Sequence, residues 1–282
     1  MARRAVTLRP KKASAAFLGP FPGQVGLGVA GFRAKFKSDL PGIISILGRR
    51  YDKFKFSGGP GFSFEVSEAP GRQNPFKPAI VFDGSRLEIR RGDFHASLDI
   101  KTGAGTLKAA ANEQCLDAFL RSFISFLLLR SGGFMLHSAG LLKNGKAYLF
   151  LGKSGAGKST LSKLAASSGV EVISDEINIV RLEKGHCRVY GSPFWGEMRA
   201  GGRQGSWPLG GIHLLKKGKI NRVGQCSGGD ALRLLLRCLV NFEKSRGTAG
   251  RVMENASRLL AKAKFARLEF SKADSGFLGL IK

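Results

Sequence analysis

Gly152-Lys153-Ser154-Gly155-Ala156-Gly157-Lys158-Ser159-Thr160 has the residue types and spacing to hold a polyphosphate. It fits the pattern G-x-x-x-x-G-K-[ST]. The glycines let successive backbone N–H groups turn inward around an anion. A helix starting at the end of the loop adds partial positive charge at the same point. Lys158 can reach the β- and γ-phosphates of a nucleotide, and the Ser159 hydroxyl can ligate Mg²⁺. Asp175 follows Lys158 by 17 residues. A carboxylate at that distance can hold a metal ion or take the proton of an attacking hydroxyl. Glu176 beside it can share those two tasks. Glu197 can complete a metal site or touch an acceptor. His137 can hydrogen-bond phosphate or tune Asp175, and a buried structural histidine is the plain alternative for it.

These residues need elements to position them. Ala147-Tyr148-Leu149-Phe150-Leu151 reads as a buried strand entering the loop, and Thr160–Ser167 as the start of the helix leaving it. Val170–Ser174 reads as the next strand, so Asp175 should emerge at its C-terminal end. In open α/β sheets ligands bind along that edge. Asn144-Gly145 between two apolar runs predicts a tight hairpin, which puts His137 on the strand beside the loop strand. Further strands are expected at Ile177–Leu182, Cys187–Tyr190, Leu209–Leu215 and Phe265–Phe270. Helices are expected at Asn112–Arg130, Asp230–Phe242 and Arg251–Lys264. Arg199 precedes, and Arg203 lies within, a glycine-rich segment, Ala200–Gly205, which is either a mobile loop over the site or a plain connector. Both arginines can meet phosphate charge, although in so basic a chain ordinary surface positions are expected.

Before residue 111 the pattern changes. Ile43–Leu47, Phe62–Val66, Ala79–Phe82, Arg86–Arg90 and Phe94–Ile100 all read as short β-like pieces. Asp83-Gly84 signals a hairpin between two of them. His95 falls on such a strand and carries no expected chemistry. Residues 1–24 read as a loose or edge-paired start. The expected organisation is a small, mostly β region over 1–110 and an α/β domain over 111–282, built on a mixed sheet that carries the phosphate-binding loop.

The chain of 282 residues has 46 basic and 20 acidic side chains, a net charge of +26. Residues 1–60 carry 12 basic and 2 acidic groups, and residues 211–282 carry 15 and 5, so each end has net +10. That excess favours anionic partners. Cys115, Cys187, Cys226 and Cys238 form no C-x-x-C pair, which excludes a zinc ribbon or a redox pair of that type. Reduced thiols, the lack of a signal-peptide pattern and the lack of a membrane-length apolar run lead to the expectation of a cytoplasmic location.

In order along the chain, His137, the hairpin, Gly152–Thr160, Ile173-Ser174-Asp175-Glu176 and Gly196-Glu197-Met198-Arg199 resemble the catalytic domain of HPr kinase/phosphorylase, over roughly residues 130–220. That family is distantly related to ATP-dependent phosphoenolpyruvate carboxykinase. It uses ATP and Mg²⁺ to phosphorylate a serine of a small carrier protein. By this resemblance Asp175 matches the first residue of the family's Asp-Asp pair, which acts as base. Ser159 matches a metal-ligating hydroxyl, and Glu197 a second metal-binding acid. The sequence departs from the pattern where Glu176 replaces the second aspartate and where Glu-Ile-Arg-Gly is Glu197-Met198-Arg199-Ala200. The β-like region before residue 111 also differs from the family's own N-terminal domain. The closer likeness is to HPr-kinase-related proteins of modified-peptide gene clusters, including kinases acting on a serine of a lasso-peptide precursor. The family's reverse, phosphorolytic activity is not carried over.

The expected function is therefore a Mg-ATP-dependent serine kinase. Lys158 and the loop amides hold ATP, the metal lies among Ser159, Glu176 and Glu197, Asp175 activates the acceptor hydroxyl, and His137 binds phosphate or tunes Asp175. The expected partner is a peptide or small carrier protein of acidic character, and self-association is left open. A small-molecule kinase has the same parts. A nucleotide-gated binding module or NTPase without kinase activity is a third reading. No RNA-recognition, zinc-finger or helix-turn-helix signature makes nucleic acid the expected partner.

Overall fold

The computed structural model describes residues 23–70, 77–199 and 202–282. The start expected over residues 1–24 lies almost wholly outside them. The described residues fall into two compact units. One ends at Ser131 and takes in Asn241–Thr248. The other comprises Gly132–Val240 and Ala249–Lys282. Both are built mostly of strands, with helices, so the chain is α/β with two mixed sheets.

The first unit holds β1 (Gly23–Val29), β2 (Phe32–Ser38), α1 (Pro41–Arg50), β3 (Phe62–Glu68), β4 (Ala79–Phe82), β5 (Arg86–Arg91), β6 (Phe94–Asp99), β7 (Ala104–Ala109) and α2 (Glu113–Arg130). Its sheet runs β1-β2-β3-β7-β6-β5-β4. The β2–β3 and β3–β7 pairs are parallel and the rest antiparallel. The segment Ile43–Leu47, expected as a β-like piece, lies inside helix α1. Pro41 opens that helix, and Ile43 and Leu47, four residues apart, are the apolar side chains it buries. Asp83-Gly84 does make the β4–β5 turn, with Gly84 at φ 104°.

Helix α2 belongs to this unit, which moves the boundary expected at 110/111 to 131/132. The cause is aromatic. Phe119 meets Phe64 edge-on at 5.4 Å, Phe123 meets Phe62 at 5.2 Å, and Phe126 meets Phe82 at 5.2 Å. A helix with three phenylalanines seated on this sheet goes with it. Asn112 caps α2 by accepting the Cys115 N–H at 2.9 Å. At its other end, Arg130, its side chain 6% exposed, donates twice to Glu243, at 2.7 and 2.9 Å, which fastens the returning segment 241–248.

The second unit holds β8 (Gly133–Lys143), β9 (Lys146–Leu151), α3 (Lys158–Ser167), β10 (Glu171–Ser174), β11 (Ile177–Glu183), β12 (His186–Tyr190), β13 (Ser206–Lys217), β14 (Arg222–Gln225), α4 (Gly228–Cys238), the body of α5 (Arg246–Lys262) and β15 (Phe265–Phe270). Asn144 and Gly145 turn between β8 and β9 with φ of 50° and 72°, the paired left-handed geometry of a two-residue hairpin. Strand β9 lies between β8, antiparallel, and β13, parallel. Strand β15 runs parallel to β13 on its other side. Helix α3 covers the sheet with Leu161 and Ala165, packed among Leu141, Tyr148, Phe150, Phe270 and Phe277. Helix α4 is shorter than the expected Asp230–Phe242. It starts from a Ser227 cap and ends at Cys238, because Leu239 bridges to Leu136 of β8. Helix α5 begins five residues before the expected Arg251. No helix among the described residues is long and apolar enough to cross a membrane.

His213 on β13 is buried and stacks on Phe150 at 5.2 Å, and its Nδ1 has no hydrogen-bond partner. Burial pushes its pKa down to about 4. The unfolded chain therefore binds the proton first, near pH 6.5, and the folded state loses stability as pH falls from there to about 4, by up to about 3 kcal/mol. Urea unfolding of wild type and His213→Phe across pH 4–7 should show a steeper loss for wild type. Parallel profiles would contradict the assignment.

Candidate functional site

The chain leaves β9 at Leu151, turns through residues 152–157, and enters α3 at Lys158. Two glycines of this loop have left-handed backbone, Gly155 at φ 74° and Gly157 at φ 100°. Gly157 is the residue from which α3 starts, and a Cβ there would lie 2.8 Å from the Phe270 ring. Gly152 is equally crowded, since its Cβ would meet that of Ala156 at 2.7 Å. Helix α3 has no side-chain cap and no acidic residue in its first turn. Its first N–H groups have no partner within the helix, and its dipole is unopposed.

Lys158, the first residue of α3, is buried. Its Nζ donates to the carbonyls of Gly152 at 2.9 Å and Lys153 at 3.3 Å. Burial lowers its pKa. No carboxylate pairs with it among the described residues, and every acidic residue of the chain lies among them. An ammonium desolvated against two neutral carbonyls retains most of its attraction for an anion. The loop, the uncapped helix start and Lys158 together make a donor set that fits a phosphate chain.

The acidic side of the site is set by register. Ser138 of β8 stands opposite Leu151 of β9, and Gly140 of β8 opposite Ser174 of β10. Strand β8 thus lies between β9 and β10, and both end at one edge of the sheet. The turn that follows β10 is held from inside. Ser174 Oγ donates to the Phe194 carbonyl at 2.8 Å and accepts the N–H groups of Glu176 and Ile177. Buried Asn178 donates to the carbonyls of Ser138 at 2.7 Å and Ser174 at 3.3 Å, which ties β8 to that turn. A Cβ at Gly140 would strike the Asn178 amide at 2.1 Å, so glycine is required there.

Asp175 is 5% exposed. Its Oδ1 accepts the Gly196 N–H and its Oδ2 the Met198 N–H, both at 2.9 Å. The carboxylate therefore anchors the segment that carries Glu197. Gly196 permits this approach, since a Cβ there would come within 3.1 Å of Asp175 Oδ2. Glu197 itself is exposed on the rim and pairs with Lys163 of α3 at 3.3 Å. His137 is not a buried structural histidine. It is the one exposed residue in the first nine of β8, opposite Ile177. Arg203 is occupied by Glu171 at 2.9 Å and packs over Trp207 at 5.0 Å. Arg199 takes a left-handed turn with φ 48° and does not line the site.

One open cleft of about 470 Å³ gathers His137, Asp175, Glu176, Glu197 and the loop residues Ser154, Gly155 and Gly157 to Thr160. Gly152, Lys153 and Ala156 shape the loop without lining the cleft. Ser159, Glu176 and Glu197 all face this one space. Among the described residues no group of three His, Cys, Asp or Glu side chains is arranged to hold a metal ion. A Mg²⁺ bound between phosphates needs fewer, since phosphate oxygens and water fill its remaining positions. Sequence reasoning missed two lining residues, Lys217 and Lys272. Lys217 is the last residue of β13 and Lys272 lies two residues past the end of β15, and only the parallel order β9-β13-β15 brings them to the loop.

No protein-family model matches the chain, and no curated protein matches it.

Gly157→Ala should remove anion binding at the loop and cost roughly 1–3 kcal/mol of stability, through left-handed backbone and collision with Phe270. Urea unfolding and phosphate-analogue titration check both effects. Wild-type stability and binding in the variant would refute the geometry.

Proposed function

We propose that the second unit is a P-loop domain of the HPr-kinase-like kind and that the chain is a Mg-ATP-dependent kinase acting on a serine hydroxyl of a peptide or small carrier protein. One observation carries the reading. A buried, carboxylate-free Lys158 and an uncapped helix start share a single cleft with Asp175 and Glu176. The first pair suits a phosphate chain, and the second suits the proton and metal chemistry of its transfer.

In this reading Lys158 leaves the carbonyls of its own loop and binds the β- and γ-phosphates. The glycine-loop amides hold the remaining oxygens. Each oxygen of Asp175 accepts one amide, and a carboxylate oxygen has two acceptor positions. A position on each therefore remains for the acceptor hydroxyl. Asp175 takes that proton as the hydroxyl oxygen bonds to the terminal phosphorus and the bond to the ADP oxygen breaks. When bound, Mg²⁺ supplies charge neutralisation, held by Ser159 with Glu176 or Glu197. His137, exposed on the strand between loop and acid, is placed to hydrogen-bond the transferred group. The net charge of +26 supports an acidic acceptor. Four free cysteines suit the reducing cytoplasm.

The same contacts support a second reading. Asp175 holds the backbone of residues 196–198, so nucleotide turnover sensed there would move that segment, as in a switch.

Purified protein with Mg²⁺ and γ-labelled ATP, with and without serine-containing acidic peptides, tests the kinase. Label should appear on peptide serine and fall about 100-fold or more in Asp175→Asn. Undiminished transfer by a folded Asp175→Asn would sink the proposed role. Label found only in free phosphate would favour the switch.

A further inference from the structure

The cleft has a second basic element that the transfer chemistry above does not use. Lys217 ends β13, and Lys272 stands two residues beyond the end of β15. Both line the cleft, and both side chains are exposed. Neither makes an ion pair or side-chain hydrogen bond among the described residues, which include every acidic residue of the chain. Several basic neighbours differ. Lys216 and Arg222 share Glu269, at 3.9 and 3.4 Å. Lys163 has Glu197, and Arg203 has Glu171.

Packing aims this pair at the glycine loop. A Cβ at Gly152 would touch Leu215 Cβ at 3.4 Å, so Leu215 faces the loop. Lys217, two residues on, shares that face of β13, and Lys216 has the opposite one. Phe270 faces the loop too, beneath Gly157. The segment after it is fixed. Asn221 accepts the Ser271 N–H at 2.9 Å and donates to Asp274 at 2.7 Å. That bond and the Gly276 N–H engage Asp274, the acid nearest Lys272 in sequence.

Position along the edge decides what the lysines can hold. The strand order there is β10-β8-β9-β13-β15. Strands lie about 4.8 Å apart, so the ends of β10 and β15 are separated by about 19 Å. Asp175 lies on one flank of the loop and the lysines on the other. A hydroxyl delivered to Asp175 is beyond their reach, whereas a phosphate chain lying along the loop extends toward them.

We propose that Lys217 and Lys272 form a second anion subsite that binds the inner phosphates of the nucleotide, orienting it with the transferable phosphate toward Asp175 and the nucleoside toward β15. This rests on the phosphate-transfer reading.

Titration calorimetry with Mg-ATP and Mg-ADP tests it in wild type, in the Lys217→Gln/Lys272→Gln double variant and in Lys219→Gln, which changes the same charge outside the cleft. Circular dichroism and thermal midpoints check folding. Both nucleotides should bind the double variant at least tenfold more weakly and Lys219→Gln within twofold of wild type. Wild-type affinity in the double variant would overturn the subsite and leave phosphate transfer standing. So would equal weakening in Lys219→Gln, which would reduce the effect to overall charge. Failure of wild type to bind either nucleotide would overturn both readings.

Discussion

Everything in the second unit depends on how strand β8 divides its pairing. It is 11 residues long. Its first part pairs with β11, and its later part lies between β9 and β10. That arrangement makes the ends of β9 and β10 neighbours across a single strand. The glycine loop and Asp175 share a cleft for this reason, with His137 between them. The Asn178 amide and the Ser174 hydroxyl lock the junction from beneath, and Gly140 leaves room for the amide. A side chain at Gly140 would force the strands apart and separate the basic and acidic halves of the site. Chemistry here is a consequence of register before it is a consequence of side-chain identity.

Electrostatics then sorts the halves. The protein is strongly basic, yet several exposed cations near the cleft already have acidic partners. Lys163 holds Glu197, Arg203 holds Glu171, and Glu269 serves Lys216 and Arg222. The three lysines that line the cleft, Lys158, Lys217 and Lys272, have no such partner among the described residues. Lys158 is buried against neutral carbonyls, while the other two stand in solvent at the cleft wall. Together with the uncapped start of α3 they concentrate positive potential on the loop side. Asp175, Glu176 and Glu197 supply the opposite sign on the other flank. A bound phosphate chain would complete that unbalanced arrangement, which gives a physical reason for anion binding beyond the pattern of glycines.

Much of this was legible in sequence, for local reasons. Asn144-Gly145 specified its hairpin because both positions need left-handed backbone. The glycine loop announced itself by the same requirement at Gly155 and Gly157. The run Val170–Ser174 placed Asp175 at a strand end. Local patterns failed where the answer was tertiary. Ile43 and Ile44 look β-like, but Pro41 and the Ile43–Leu47 spacing serve a helix packed on the first sheet. Strand β14 carries no sequence signal, because all four of its residues are exposed and show no alternation. Helix α2 belongs with the first unit rather than the second because of its phenylalanines, and nothing local says which sheet they seek. Lys217 and Lys272 were invisible because parallel strand order is not written in either segment.

The account stands or falls on the glycine loop as the seat of a triphosphate. Amide hydrogen exchange with and without saturating Mg-ATP addresses it residue by residue. The account predicts slowed exchange at the amides of residues 154–160, where the helix start has no side-chain cap. Unchanged exchange across that loop, with protection appearing elsewhere or nowhere, would contradict it.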